Sequence, residues 1–346
     1  MFLTENNAFN IIFAITMPVS LYNPFETLHF DNETCFLTGV DLPSANEQIC
    51  IFPDWILNRF SLREKKFRMM DQVTGIRYED LKLPCSAEVK NAFHLLDEEI
   101  KSAFNNGYEE VKKIPEERLF LWMGKLVYGV LYNDLSLEIS RTQKKEKNFK
   151  ISSSLKKRFG KFHLMLQSLV HPMEFIGLKP WSISIVRLKY SRDTFNYKDE
   201  PVNLNFSLGM NGFGIVACLQ DNGAVEKNQQ DIINKIADKI LHPIQFEELC
   251  CRFLYTNYLL KKQAQHIIQT TEEKLIIESL PFTETKDEPL FDYWDDNMFA
   301  QVLAGYWEPW GLTKKEIITP PDSPISFLEN DYTHEFIEPE SVTLPF

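Results

Sequence analysis

No apolar run in this chain reaches the ~18 residues that a bilayer crossing needs. The most apolar stretch, Ala8 to Leu21, has neither Lys nor Arg ahead of it and is interrupted by Asn10 and Pro18. It lacks the charged start and small-residue cleavage site of a secretory leader, and it reads as a buried strand over 9–16. The six cysteines are scattered and never fall as Cys-x-x-Cys. That pattern excludes a disulfide framework and points to a reducing, cytoplasmic setting. Also missing are G-x-S-x-G, a P-loop, H-E-x-x-H and the kinase motifs. The glycines of Gly209-Met-Asn-Gly212-Phe-Gly214 are not spaced as G-x-G-x-x-G and lead into a strand, so they mark a turn.

What is present is the composition of a folded protein: 44% hydrophobic and 25% charged residues, with 27 Phe to build a core on rings. Net charge is −12, but it is unevenly placed. Residues 281–346 hold 14 Asp/Glu and 3 Lys, which leaves residues 1–280 nearly neutral. This acidic segment also carries Phe291, Tyr293, Trp294, Tyr306, Trp307 and Trp310, rings that a merely solvating tail lacks. It is expected to dock, on its own body or on a basic partner, and the cis alternative places it near or over the one basic segment. That segment is 141–161, where Arg141, Lys144, Lys145, Lys147, Lys150, Lys156, Lys157, Arg158 and Lys161 face a single acid, Glu146. Phe149, Phe159 and Phe162 interleave, the pattern of a phosphate-contacting patch with stacking rings. A solvated helix face is the alternative.

Apolar spacing predicts helices over 53–60, 86–104, 115–135 and 155–170, the third opened by Pro115-Glu116-Glu117 and the last capped within Ser152–Ser154. Thr74-Gly75 suggests a hairpin turn before Ile76. Residues 181–220 alternate as β-structure, Asp221-Asn222-Gly223 is a turn, and 229–270 returns to helix. Cys250 and Cys251, adjacent on a helix, read as core thiols. His163 and His171 read as ordinary core or surface histidines, with a shared site as the alternative.

Several segments, taken in order, resemble HNH endonucleases of the treble-clef type. Cys35-Phe-Leu-Thr-Gly39 is similar to a C-x-x-C-G knuckle. Glu47-Gln-Ile-Cys-Ile-Phe-Pro-Asp-Trp55 is similar to E-H-(V/I)-F-P-x-W, and Leu83-Pro-Cys-Ser-Ala-Glu-Val-Lys-Asn91 to L-P-C-C-x-x-C-N. The likeness extends through Asp97-Glu98, Trp122-Met-Gly-Lys125-Leu-Val-Tyr128, His163-Leu-Met-Leu-Gln167, Pro180-Trp-Ser-Ile183 and Gly214 to Asp221, covering roughly 33–270. It implies a strand–strand–helix hairpin holding one divalent metal, with a histidine that activates water, and a four-cysteine zinc site that pins the hairpin.

The departures from that pattern decide the expectation. Thr38 and Val89 stand where two zinc thiolates belong, so Cys35 and Cys85 are vestigial. Gln48, or Cys50 without an insertion, stands at the histidine, and Lys90 at the asparagine. Glutamine is neutral at every pH and cannot act as a general base. The reading is therefore an α+β protein: a degenerate HNH-like module over 1–112, a larger mixed domain with an antiparallel sheet over 113–280, and the acidic aromatic segment 281–346. It is expected to be a catalytically silent protein that binds nucleic acid or a protein partner, without membrane contact and without a cofactor. The resemblance implies a bacterial setting of phage defence or mobile elements. The alternatives are a metal-dependent endonuclease with a rearranged site on Asp54, His94 or Glu98, and a scaffold or inhibitor acting through the acidic tail.

Overall fold

In a computed structural model of the chain, the described residues are 21–45, 47–146, 149–283, 288–319, 323–330 and 332–344. The strand expected over 9–16 and Lys147 lie outside them. The fold is α+β. Helix α1 (Pro24–Thr27) precedes a two-stranded antiparallel pair of β1 (Gln48–Cys50) and β4 (Lys82–Pro84). Between those strands lie α2 (Asp54–Arg59) and a hairpin of β2 (Lys66–Arg68) and β3 (Gly75–Arg77). Helix α3 (Ala87–Asn106) follows, capped by Ser86 Oγ accepting from the Val89 amide, and then the short α4 (Tyr108–Val111). Val89, Phe93, Leu96, Ile100 and Phe104 repeat at three- and four-residue spacing and bury one face of α3.

Helix α5 (Glu116–Lys144) begins where the proline signal puts it but outruns the expected end by two turns. Its first half is buried almost all round, from Leu119 to Tyr132, because α3, α6 (Ser153–Leu166) and the sheet enclose it. Its last turns are mostly polar, with only Leu137 and Ile139 packing against the core, so no repeating apolar face announces them; Arg141 helps hold them by donating to Asp71 Oδ2 and Thr74 Oγ1.

Strands β5 (Met173–Gly177), β6 (Ser182–Leu188), β7 (Phe195–Glu200), β8 (Asn205–Met210) and β9 (Phe213–Cys218) come next. They are followed by helices α7 (Ala224–Asn228) and α8 (Gln230–Ile236), strand β10 (Ile240–Leu241) and helix α9 (Pro243–Leu259). The central sheet has the order β10-β6-β9-β8-β7 and is antiparallel except for the two-residue edge strand β10. One face meets α5 and α3 through Ile183, Phe206, Leu208 and Ile215. The other meets α9 through Val186, Leu188, Val216 and Cys218. Both faces are thus apolar, and β8 and β9 are buried at every position. Helix α9 approaches so closely that a Cβ on Gly214 would stand 2.4 Å from the Phe246 ring.

The expectation of helix through 270 fails at its end. Residues His266–Thr270 are strand β11, which pairs with β12 (Leu275–Ser279), and β12 runs parallel to β5. The β-branched Ile267, Ile268, Ile276 and Ile277 favour the extended chain there. Cys250 and Cys251 are buried core thiols, and Asn211-Gly212, both at positive φ, form the β8–β9 turn.

The acidic aromatic segment is built onto the body. Helix α10 (Asp296–Trp307) and the short α11 (Lys314–Ile317) cover α9 through Phe299, Leu303, Trp307 and Ile317 against Ile244, Cys251, Tyr255 and Leu259. Buried Glu248 accepts from the Phe327 and Leu328 amides and Ser326 Oγ, and Gln245 donates to the Phe327 and Ile337 carbonyls. The segment's acids pair with Lys189, Lys235, Lys239, Arg252, Lys261 and Lys262. Among the described residues, none pairs with the 141–161 lysines. The expected docking over the basic segment is therefore corrected, because the apolar surface of α9 decides where the segment lies.

Candidate functional site

The chain from Cys35 to Gly39 makes a tight turn. The Cys35 amide donates to the Val40 carbonyl (2.8 Å) and the Gly39 amide to the Cys35 carbonyl (2.9 Å). Gly39 has φ +72°, and a Cβ there would stand 2.4 Å from Tyr22, so the position requires glycine. The turn joins the β1–β4 pair through the Phe36 amide donating to the Pro84 carbonyl, and the Cys85 amide donates to the Glu47 carbonyl. From behind, His163 Nε2 lies 2.7 Å from the Phe36 carbonyl, and Gln167 Nε2 lies 3.3 Å from its Nδ1. Burial pushes this imidazole down to about 4, so it is a neutral, structural histidine, and among the described residues no hydrogen bond joins it to half-buried His171.

Cys35 and Cys85 are both fully buried; the Cys35 thiol lies 3.9 Å from Ser86 Oγ. Burial pushes the Cys85 thiol up to about 12, with the neighbouring Cys35 adding to the rise. Without a metal such a thiol stays protonated; zinc displaces the proton of a thiol it binds, so the number of donors decides the question. Thr38 Oγ1 is buried without a partner, and Val89 offers no donor atom. This donor set does not fit the four-ligand zinc site that the family resemblance implies.

Between β1 and α2 on one side and α3 on the other lies a cleft of about 910 Å³. The face of α3 opposite its apolar stripe supplies Lys90, Asn91, His94, Asp97, Glu98 and Lys101. The other wall supplies Glu47, Gln48, Cys50, Asp54 and Trp55. All three alternative catalytic residues, Asp54, His94 and Glu98, are thus brought to one cleft. Their partners limit them: Asp54 pairs with Arg63 at 2.7 Å, and Glu98 with Lys101 at 3.0 Å. His94 is exposed and has no hydrogen bond or ion pair among the described residues, so nothing fixes its ring as a base is fixed by an orienting partner. Gln48 lines the same wall and cannot take a proton.

A feature that sequence reasoning missed sits at the cleft's edge. Lys125, only 1% exposed in the middle of α5, donates to both oxygens of Asp97 (2.8 and 3.1 Å). Trp122 Nε1 donates to the same carboxylate at 3.0 Å, and the ammonium lies 5.4 Å from the centre of the Phe93 ring. The signal was legible: a lysine enclosed by apolar residues three positions after a tryptophan demands a buried counter-charge.

The basic segment divides into tied and free residues. Arg141 is held by Asp71 and Thr74, Arg158 by the Val202 carbonyl and Asn203, and Lys161 by the Ala264 carbonyl and Gln265. Lys144, Lys145, Lys150 and Lys157 are exposed and Lys156 half-exposed, with no carboxylate partner among the described residues. The interleaved rings are not a stacking platform: Phe159 and Phe162 are buried, and Phe149 packs against the core. No family model, curated protein or solved structure matches this chain.

Proposed function

We propose that this chain is a catalytically silent relative of the HNH nucleases that acts by binding nucleic acid. The observation that carries this reading is the set of unpaired lysines, Lys144, Lys145, Lys150, Lys156 and Lys157, gathered where α5 ends and α6 begins. Helix α6 has no acid in its first turn, and Lys156 and Lys157 lie close to the positive end of its dipole. An incoming phosphate relieves both repulsions, and counterion release supplies the affinity. Catalysis is set aside because the cleft holds Gln48 in place of a base, and because Thr38 and Val89 leave Cys35 and Cys85 short of a four-ligand zinc site.

The test is binding of labelled DNA and RNA to the full chain across a salt series. Changing Lys144, Lys145, Lys156 and Lys157 to Gln should flatten the salt dependence by about 0.9 in slope for each duplex phosphate contact removed. An unchanged slope would clear the segment. The second reading, a nuclease with a rearranged site, is favoured by the convergence of Asp54, His94 and Glu98 on one cleft. Metal-dependent cleavage lost in both His94→Ala and Asp54→Ala would promote it. A role through the acidic segment is the third reading; against it, Glu329, Glu338 and Glu340 are already paired with lysines of the same chain.

A further inference from the structure

The geometry points to the β2–β3 hairpin as a second half of the nucleic-acid surface, and to a duplex rather than a single strand as the partner. This rests on the reading just given and extends it. Strand β2 has a two-residue period, so Lys66 and Arg68 emerge on one face. Both are exposed and have no carboxylate partner among the described residues. With Val73, Thr74 and Gly75 they line a shallow hollow of about 260 Å³, where the Lys66 stem lies over Gly75 and a Cβ at 75 would stand 3.1 Å from it.

The hairpin is fastened to the end of α5 at several points. Arg141 Nη1 bonds Asp71 Oδ2 at 2.8 Å, its Nη2 bonds Thr74 Oγ1 at 2.6 Å, and the Met70 amide donates to Asp134 Oδ1 at 3.2 Å. Lys144 and Lys145 follow Arg141 within about one helical turn, roughly 5 Å along the axis. The hairpin cations and the lysines of the α5–α6 turn therefore form one strip across two rigid elements. The nearest acids are engaged with arginines: Glu64, Glu79 and Asp80 surround Arg77, the register partner of Lys66, and Asp71 and Glu138 face the Arg141 guanidinium, with Glu146 at the helix end.

The partner follows from what the strip lacks. Single-strand binders stack bases on exposed rings, and here Phe159 and Phe162 are buried while Phe149, half-buried, packs against the core. Contacts limited to ammonium and guanidinium groups read phosphates alone, and a duplex offers the densest array of them. The apolar groups at the hairpin tip, Val73 and Met70, are too few to anchor a lipid surface.

The experiment compares the full chain with Lys66→Gln/Arg68→Gln, using a labelled duplex of about 20 base pairs, an oligo-dT of equal length and phosphatidylserine vesicles. Both side chains are exposed, and unchanged thermal melting verifies that the variant is folded. The expected result is tighter binding to duplex than to oligo-dT at equal salt, and a duplex salt slope about 2 units shallower in the variant. An unaltered slope in this variant, alongside a flattened one in the α5–α6 lysine variant, overturns the hairpin's role while leaving the proposed function standing. Tighter binding to oligo-dT overturns the duplex assignment. Failure of the wild-type chain to bind either nucleic acid, or binding to vesicles alone, overturns both.

Discussion

Lys125 places a full positive charge where water does not reach, and its only carboxylate partner among the described residues is Asp97. Removing one member of such a pair leaves the other uncompensated, at a cost of about 3–5 kcal/mol. Lys125→Ala should lower stability by that order, measured by urea unfolding, and Lys125→Met should recover the packing part of the loss but not the charge part. A second residue-scale feature lies beneath the hairpin. Burial pushes Asp199 up to about 7, with Asp134 and Glu200 adding repulsion, and burial likewise raises Asp134 to about 6. Asp199 Oδ2 and Asp134 Oδ2 are closed to solvent, and the Asp199 carboxyl lies beside the buried Tyr197 hydroxyl. The unfolded chain releases these protons near pH 4 and the folded chain only near pH 6–7. Their contribution is therefore most favourable below pH 4 and is lost as pH rises to about 7. Between pH 5 and 8, stability should fall by a few kcal/mol at most, and Asp199→Asn should abolish much of that fall in melts across the same range.

At the scale of elements, the sandwiching of the central sheet depends on how closely α9 can approach β9. A Cβ at Gly214 would stand within 3 Å of three carbons of the Phe246 ring, which is itself buried. Gly214→Ala should therefore push α9 outward and cost about 1–3 kcal/mol. Phe246→Leu in that background should restore part of the melting temperature; a double variant that simply adds the two losses would show that the contact does not limit packing. The elements whose apolar residues repeat strongly, α3 and the first half of α5, were legible in the sequence. The polar end of α5 was not, because a long-range clamp from Arg141 to the hairpin loop holds it rather than a local pattern.

Across the whole molecule, the segment after 281 is a layer of the structure. Truncation after Leu280 would expose Ile244, Tyr255 and Leu259 and strip the Glu248 carboxylate of three donors. The expected outcome is a protein that binds hydrophobic dyes and associates in light scattering, with a much lower melting temperature. A monomeric truncation with unchanged melting would show that α9 needs no cover. Removing the segment should leave nucleic-acid affinity per folded molecule nearly unchanged, since its acids pair with lysines remote in sequence from the α5–α6 turn.

By itself the sequence determined that the chain folds as α+β, that two of its helices are capped at Pro115 and Ser152, that no helix among the described residues is long and apolar enough to cross a membrane, and that Gln48 supplies no base. These follow from local quantities: spacing, caps, length and the chemistry of single side chains. Tertiary structure decided the rest. It turned Phe149, Phe159 and Phe162 inward, so that what reads as a stacking patch is a helix whose apolar face is its core face. It tied Arg141, Arg158 and Lys161 to neighbours far along the chain and left Lys144, Lys145 and Lys157 free, a division that charge counting along 141–161 cannot make. It brought Asp54, His94 and Glu98 to one cleft, and it set the acidic segment on α9 rather than on the basic residues. Screened charges attract weakly in water, whereas a large apolar face must be covered, and the second requirement governs where a chain comes to rest.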